Sequence, residues 1–201
     1  MPFFALVAAL LAQAPPAPRP AALPSYATVV LETTLGTIEI EVDRANAPVT
    51  AANFLKYVEA GRYDGGRFHR TVRRDNQPDN PVKIEVVQAG VDPRRQHEDW
   101  APIQIERTRD TGLKHREGTI SMARDGPDSA TSDFFICLGD QPELDFGGQR
   151  NPDGQGFAAF GRVVRGMDVV KAIQASPTGQ SGPYRTETLD PVIPILKASR
   201  K

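Results

Sequence analysis

The chain has 201 residues, with 24 Lys and Arg against 25 Asp and Glu and a formal charge of −1; this balance excludes a nucleic-acid or anionic-membrane binder driven by net charge. At about 150 residues per domain the length fits one domain plus extras, and a 39% hydrophobic share is enough for one core. The single cysteine, Cys137, excludes an intrachain disulfide and a cysteine-cluster metal site, and its neighbours Ile136 and Leu138 mark it as a small buried hydrophobe.

Residues 1–25 read as a leader. Six of the 18 prolines (Pro2, Pro15, Pro16, Pro18, Pro20 and Pro24) fall there, with Arg19 the one charged side chain. The apolar run FFALVAALL at 3–11 has the length of a signal-peptide hydrophobic stretch and falls far short of the ~20 residues of a membrane-spanning helix. Ala12-Gln13-Ala14 supplies a small-x-small cleavage pattern, although no basic residue precedes the run. The expectation is export to the periplasm, with PPAPRPAALP as an extended tether and no stable membrane insertion. A disordered leader on a cytoplasmic protein is the alternative.

From residue 26 to 201 the pattern is one domain of mostly strand. Short alternating runs at 28–32 and 37–42 flank a turn at Leu35-Gly36, which predicts a hairpin with Ile38, Ile40 and Val42 on one face. Pro48 opens a helix in which Ala51, Phe54, Leu55 and Val58 recur at helical spacing, and Gly61 is placed to end it. Further strands are expected at 67–72, 83–88, 103–105, 119–123, 134–138, 157–164 and 192–196, with a second helix at 168–175. Many short strands and two helices favour a closed antiparallel barrel with helical lids, because closure removes the edge strands.

The residue chemistry narrows the function. His69, His97 and His115 are widely spaced and form no metal-binding motif, so no metal is expected. No nucleophile elbow is present, which leaves Ser121 as a strand residue and Ser132 as a turn residue. The glycines of Asp64-Gly65-Gly66 and Phe146-Gly147-Gly148 read as tight turns rather than phosphate loops. Arg67, Arg70, Arg73 and Arg74 form a basic cluster, but Asp75 and Asp79 follow, so a mixed-charge face is expected and nucleic acid is not.

Four stretches carry more information: Phe68-His69-Arg70; VVQAG at 86–90; GTISMARDGPDSATSDFFICL at 118–138; and GFAAFGRV at 156–163. In this order they resemble the cyclophilin family of peptidyl-prolyl cis/trans isomerases, over residues 28–197, and the ending SGPYRTETLDPVIPI resembles the bacterial exported branch. The resemblance implies a mainly β fold, a closed eight-stranded antiparallel barrel capped by two α-helices, with the site on its outer wall. It implies a folding enzyme without cofactor that acts on proline-containing unfolded or extended polypeptides, and a monomer is expected. Arg70, Gln88 and Phe135 match the family's catalytic positions, and Val86, Ala123, Arg124, Asp133, Leu144 and Phe157 its substrate-binding ones. A non-catalytic peptide-binding chaperone or adaptor on the same fold is the second reading.

Several positions depart from the family pattern. The segment TVRRDNQPDNPVKIEVV at 71–87 is longer than usual and reads as a polar surface loop beside the site. Glu85 and Val86 stand in place of phenylalanine and methionine, Asp133 in place of glutamine, and Arg124 in place of asparagine. Glu143 stands where many members have tryptophan and Phe157 where they have histidine. The loss of that tryptophan predicts weak binding of cyclosporin, the family's cyclic-peptide inhibitor.

Overall fold

The computed structural model describes residues 25–180, 182 and 184–201; the expected signal stretch and tether at 1–24 lie outside the described residues. Eight antiparallel strands close into a barrel. In chain order they are β1 (Tyr26–Thr33), β2 (Gly36–Asp43), β3 (Arg67–Val72), β4 (Val86–Gly90), β5 (Thr119–Met122), β6 (Phe134–Cys137), β7 (Ala158–Arg165) and β8 (Thr188–Arg200). Around the barrel they run β1-β2-β7-β5-β6-β4-β3-β8, and β8 pairs back with β1.

The expected hairpin is β1 with β2, in register from Tyr26 opposite Asp43 to Thr33 opposite Gly36. Gly36 takes a φ of 134° at the turn, a backbone region that favours glycine. Val29, Leu31, Ile38, Ile40 and Val42 point into the barrel and are fully buried, as a period of two requires for one covered face. Helix α1 (Pro48–Glu59) starts at proline and buries Ala51, Phe54, Leu55 and Val58. The carboxylate of Glu106 accepts from the N–H groups of Val49 and Thr50 at 3.1 and 2.8 Å, so a distant residue satisfies two free donors at the positive end of the helix. Helix α3 (Met167–Ala175) buries Val170 and Ile173.

Some segments depart from the expected elements. Ile103 forms only an isolated bridge with Ala130, so 103–105 is not a strand; the Ile105 N–H goes to the Asp128 side chain instead. Strand β4 begins at Val86 rather than at 83, because Gln77 engages the Ile84 backbone, its amide donating to the carbonyl at 2.7 Å. Between the two expected helices lies a single helical turn, α2 (Thr108–Thr111), closed by Gly112 at a φ of 76°.

One irregularity positions the site. The register of β3 shifts between Phe68 and Arg70 against both of its neighbours, β4 and β8. Strict alternation would send Phe68 and Arg70 to the same face. Phe68 is fully buried in the core. The bulge at His69 adds a residue and re-aims Arg70 outward. Val72, Val86, Phe135 and Cys137 share the outer face, where Ile84 and Leu144 join them in a second apolar cluster apart from the core. Burial there pushes the Cys137 thiol pKa far up, in keeping with its expected packing role.

Candidate active site

A cleft of about 310 Å³ lies over this second cluster. Its floor is the Phe135 ring, with Phe157 edge-on at 5.4 Å and an interplanar angle of 88°. Val86, Leu144 and Ala123 complete an apolar hollow. All of the substrate-binding residues expected from the sequence border this one cleft, as do Arg70 and Gln88.

Phe135 rests on a buried polar row. His115 stacks behind it at 5.9 Å and 18°. The imidazole Nε2 lies 2.9 Å from Ser121 Oγ, and Nδ1 lies 2.8 Å from Asp145 Oδ1. Burial holds the His115 pKa below its ordinary value against the opposing pull of Asp145. The row has the order of a hydrolytic triad, but Ser121 is fully buried and cannot meet a substrate. Its place is in strand β5, as expected, and it serves the site by fixing the ring that supports Phe135.

Along the polar side, Arg70 Nη1 donates to Gln88 Oε1 at 3.0 Å, and Gln88 Nε2 donates to Asp133 Oδ2 at 3.1 Å. The amide of Gln88 thus joins a cation to an anion and has its orientation set from both sides. Asp133 is mostly shielded from water, and burial pushes its pKa up to about 6, with Asp99 and Asp125 adding to the rise and Gln88 opposing it. His69 Nε2 lies 3.5 Å from the same carboxylate, but burial pulls its pKa down to about 4, so the ring is neutral near pH 7.

Arg124 has a different part from a free cation. Its side chain is 2% exposed, pairs with both oxygens of Asp153 and donates from Nε to the Gly156 carbonyl at 2.8 Å. The guanidinium lies 5.1 Å from the Phe157 ring centre and braces that wall. Two other arginines near residue 70 also have partners: Arg74 pairs with Glu85, and Arg73 pairs with Asp75 and donates to the carbonyls of Gln174 and Ser176. These contacts form the mixed-charge face expected from the sequence.

Sequence reasoning missed four participants. Glu187 and Tyr184 reach Arg70 from the turn before β8: the Arg70 Nε donates to Glu187 Oε2 at 2.7 Å, and the Tyr184 ring centre lies 4.4 Å from the guanidinium carbon. Asn76 and Gln77 belong to the segment expected to be a surface loop, yet both are buried. Asn76 Nδ2 donates to the carbonyls of Thr71 and Thr186, while Arg150 donates to Gln77 Oε1 and the Val82 carbonyl. The turn-rich composition located this loop beside the site, but its inward amides depend on distant backbone. Among the described residues, no group of three or more His, Cys, Asp or Glu side chains is arranged to hold a metal ion.

The fold is thus a closed barrel whose outward cleft has a hydrophobic floor and an arginine–amide edge. The model for cyclophilin type peptidyl-prolyl cis-trans isomerases matches residues 28–199. The chain is 39% identical over 168 residues to peptidyl-prolyl cis-trans isomerase cyp18 of Streptomyces antibioticus, covering 83% of this chain and 94% of that protein. It is 38% identical to peptidyl-prolyl cis-trans isomerase A of Dickeya dadantii, covering 82% and 80%, and 36% identical to isomerase B of Escherichia coli, covering 82% and 94%. In fold it is similar to a cyclophilin type isomerase of Cryptosporidium parvum solved in the presence of the dipeptide Ala-Pro, with a TM-score of 0.67, 21% identity, and coverage of 87% and 98%. The chain belongs to the cyclophilin-type peptidyl-prolyl cis-trans isomerase family and is an isomerase of that type.

Proposed function

We propose that the enzyme accelerates rotation about X-Pro bonds by arginine-assisted stabilisation of the twisted amide, with the proline ring seated on Phe135. The barrier to be lowered is ~18–20 kcal/mol and arises from C–N resonance. At the top of the barrier the resonance is lost, and the prolyl nitrogen regains a lone pair that accepts a hydrogen bond. Arg70 supplies the donor. Its fork is permanently charged and planar, and beside an apolar floor its donation is worth more than in bulk solvent. Gln88 holds the fork on one side and orients it. No bond is broken, so the chemistry calls for neither nucleophile nor cofactor.

Phe135, Phe157, Leu144 and Val86 offer the proline ring an apolar seat, leaving the preceding carbonyl to turn against the polar edge. The observation that carries this reading is the outward placement of Arg70 and Gln88, hydrogen-bonded to each other, on the rim of the cleft that Phe135 floors. Substrates are extended, proline-containing polypeptides, and the leader carries the protein to the periplasm. An exchange-NMR or protease-coupled assay on a short X-Pro peptide tests the mechanism. The purified protein speeds exchange without added metal or nucleotide, and Phe135→Ala raises KM. An unchanged rate with folded protein sinks the catalytic reading and leaves the peptide-binding module. Cell fractionation tests the location: an intact N-terminus in the cytoplasm refutes export.

A further inference from the structure

The guanidinium of Arg70 is held on two edges, and only one of its holders, Gln88, belongs to the neighbouring strand β4. On the opposite edge, a single carboxylate oxygen, Glu187 Oε2, accepts from Nε at 2.7 Å and lies 2.6 Å from Nη2. The side chains are 22% and 13% exposed, so the pair is largely shielded from solvent rather than a loose surface contact. Tyr184 covers one face of the guanidinium at 4.4 Å.

This grip follows from local geometry. Residues 185–187 form a tight helical turn, and the Glu187 N–H donates to the Tyr184 carbonyl at 3.0 Å. Three residues apart in such a turn, two side chains eclipse each other and face the same way. The pairing of Arg70 with Thr188 then brings the turn alongside the arginine. The insertion pins the turn from behind: Thr186 Oγ1 donates to the Asn76 carbonyl at 2.8 Å, and Asn76 Nδ2 donates to the Thr186 carbonyl at 3.2 Å.

We propose that Glu187 is a positioning residue for catalysis, fixing the plane of the Arg70 fork so that its remaining N–H groups meet the prolyl amide in its twisted state. The proposal rests on the reading of Arg70 as the catalytic donor. A guanidinium has five N–H groups. Glu187 accepts from Nε and stands in ion-pair contact with Nη2, and Gln88 accepts from one N–H of Nη1, which leaves further N–H groups on both terminal nitrogens. A contact on Nη1 alone lets the plane swing about the long side chain. A second contact on the other edge removes that freedom before substrate arrives, and small misplacements of a catalytic group are expensive in rate. Because Glu187 Oε2 accepts the Nε–H, a neutral carbonyl oxygen at the same place can keep that hydrogen bond.

The test is a set of kinetic and NMR measurements on the full chain with an X-Pro peptide. Glu187→Ala lowers kcat about tenfold and leaves KM within about twofold, as expected for loss of orientation rather than binding. Glu187→Gln, which retains a carbonyl oxygen, restores kcat to within about threefold of wild type. The double variant Arg70→Ala/Glu187→Ala is no slower than Arg70→Ala alone, since Glu187 acts only through Arg70. An unchanged or increased kcat in Glu187→Ala, with Arg70→Ala inactive, overturns the proposal while leaving Arg70 catalytic. Additive losses in the double variant also overturn it. Wild-type activity in folded Arg70→Ala overturns the underlying reading and the proposal with it. If Glu187→Ala does not fold, the wild-type Arg70 Nε–H resonance decides: slow exchange with water supports the clamp, and exchange as fast as that of an exposed arginine rejects it.

Discussion

Replacing Asp133 by asparagine is expected to stabilise the enzyme at neutral and alkaline pH, although the aspartate carries a hydrogen bond within the site. The pKa of Asp133 is pushed from 3.8 to about 6, chiefly by burial, and its side chain is 24% exposed, so water screens it only in part. A carboxyl group whose pKa is raised by folding binds protons more tightly in the native state than in the unfolded one. Between pH 4 and 6 the native state therefore holds the extra proton, and stability falls as pH rises through this window. The gap of about two pH units, at about 1.4 kcal/mol each, corresponds to about 3 kcal/mol lost by pH 7. His69 offers no compensating charge there, because its own pKa is depressed to about 4. Asparagine cannot ionise, and its carbonyl still accepts from Gln88. At pH 8 Asp133→Asn gains about 3 kcal/mol, a Tm rise of about 6–12 °C for a chain of this size, and the gain disappears below pH 4. Thermal and urea unfolding at pH 4, 6 and 8 measures it. A gain independent of pH, or a loss at pH 8, refutes the assignment of Asp133 as a buried carboxylate ionised at a cost.

At the catalytic edge, Arg70→Lys lowers kcat/KM by one to three orders of magnitude, about 1.4–4 kcal/mol, because an ammonium group cannot make the two-edged contact; near-wild-type rates in a folded protein reject the role of the fork. Cyclosporin binds the wild-type enzyme weakly and Glu143→Trp binds it more tightly in titration calorimetry. The Glu143 carboxylate is turned to the Gln149 N–H at 2.8 Å, and Phe146 lies against Arg109 at 4.1 Å, so neither supplies an apolar wall; tight binding by wild type contradicts this. Gly156→Ala destabilises by at least about 2 kcal/mol in urea unfolding, since Gly156 has a φ of 65° and a Cβ there meets the Asp145 carbonyl carbon at 2.5 Å; an unchanged midpoint removes the steric argument.

Much of the scaffold is determined by patterns that act over a few residues. The alternation through Ile38, Ile40 and Val42 specifies a half-buried strand wherever its partner lies, and Pro48 with Phe54, Leu55 and Val58 specifies a helix start and an apolar stripe. The motif residues Arg70, Gln88 and Phe135 are likewise legible through the resemblance of their motifs to the family's, and they meet at one cleft. Strand register and what lies across a turn are not local quantities. Residues 103–105 have the composition of a strand, but the eight places in the barrel are filled by other segments, and a ladder needs a partner as well as a propensity. Asn76 and Gln77 look like loop polars because their acceptors, at Thr71, Thr186 and Ile84, are set by how the chain folds back. Arg70 itself shows the division most clearly. Its chemistry is written in the sequence, but a period of two would have turned it inward with Phe68. Only the bulge in β3, fixed by simultaneous pairing with β4 and β8, sends it to the outer wall, where the turn before β8 brings Glu187 to meet it.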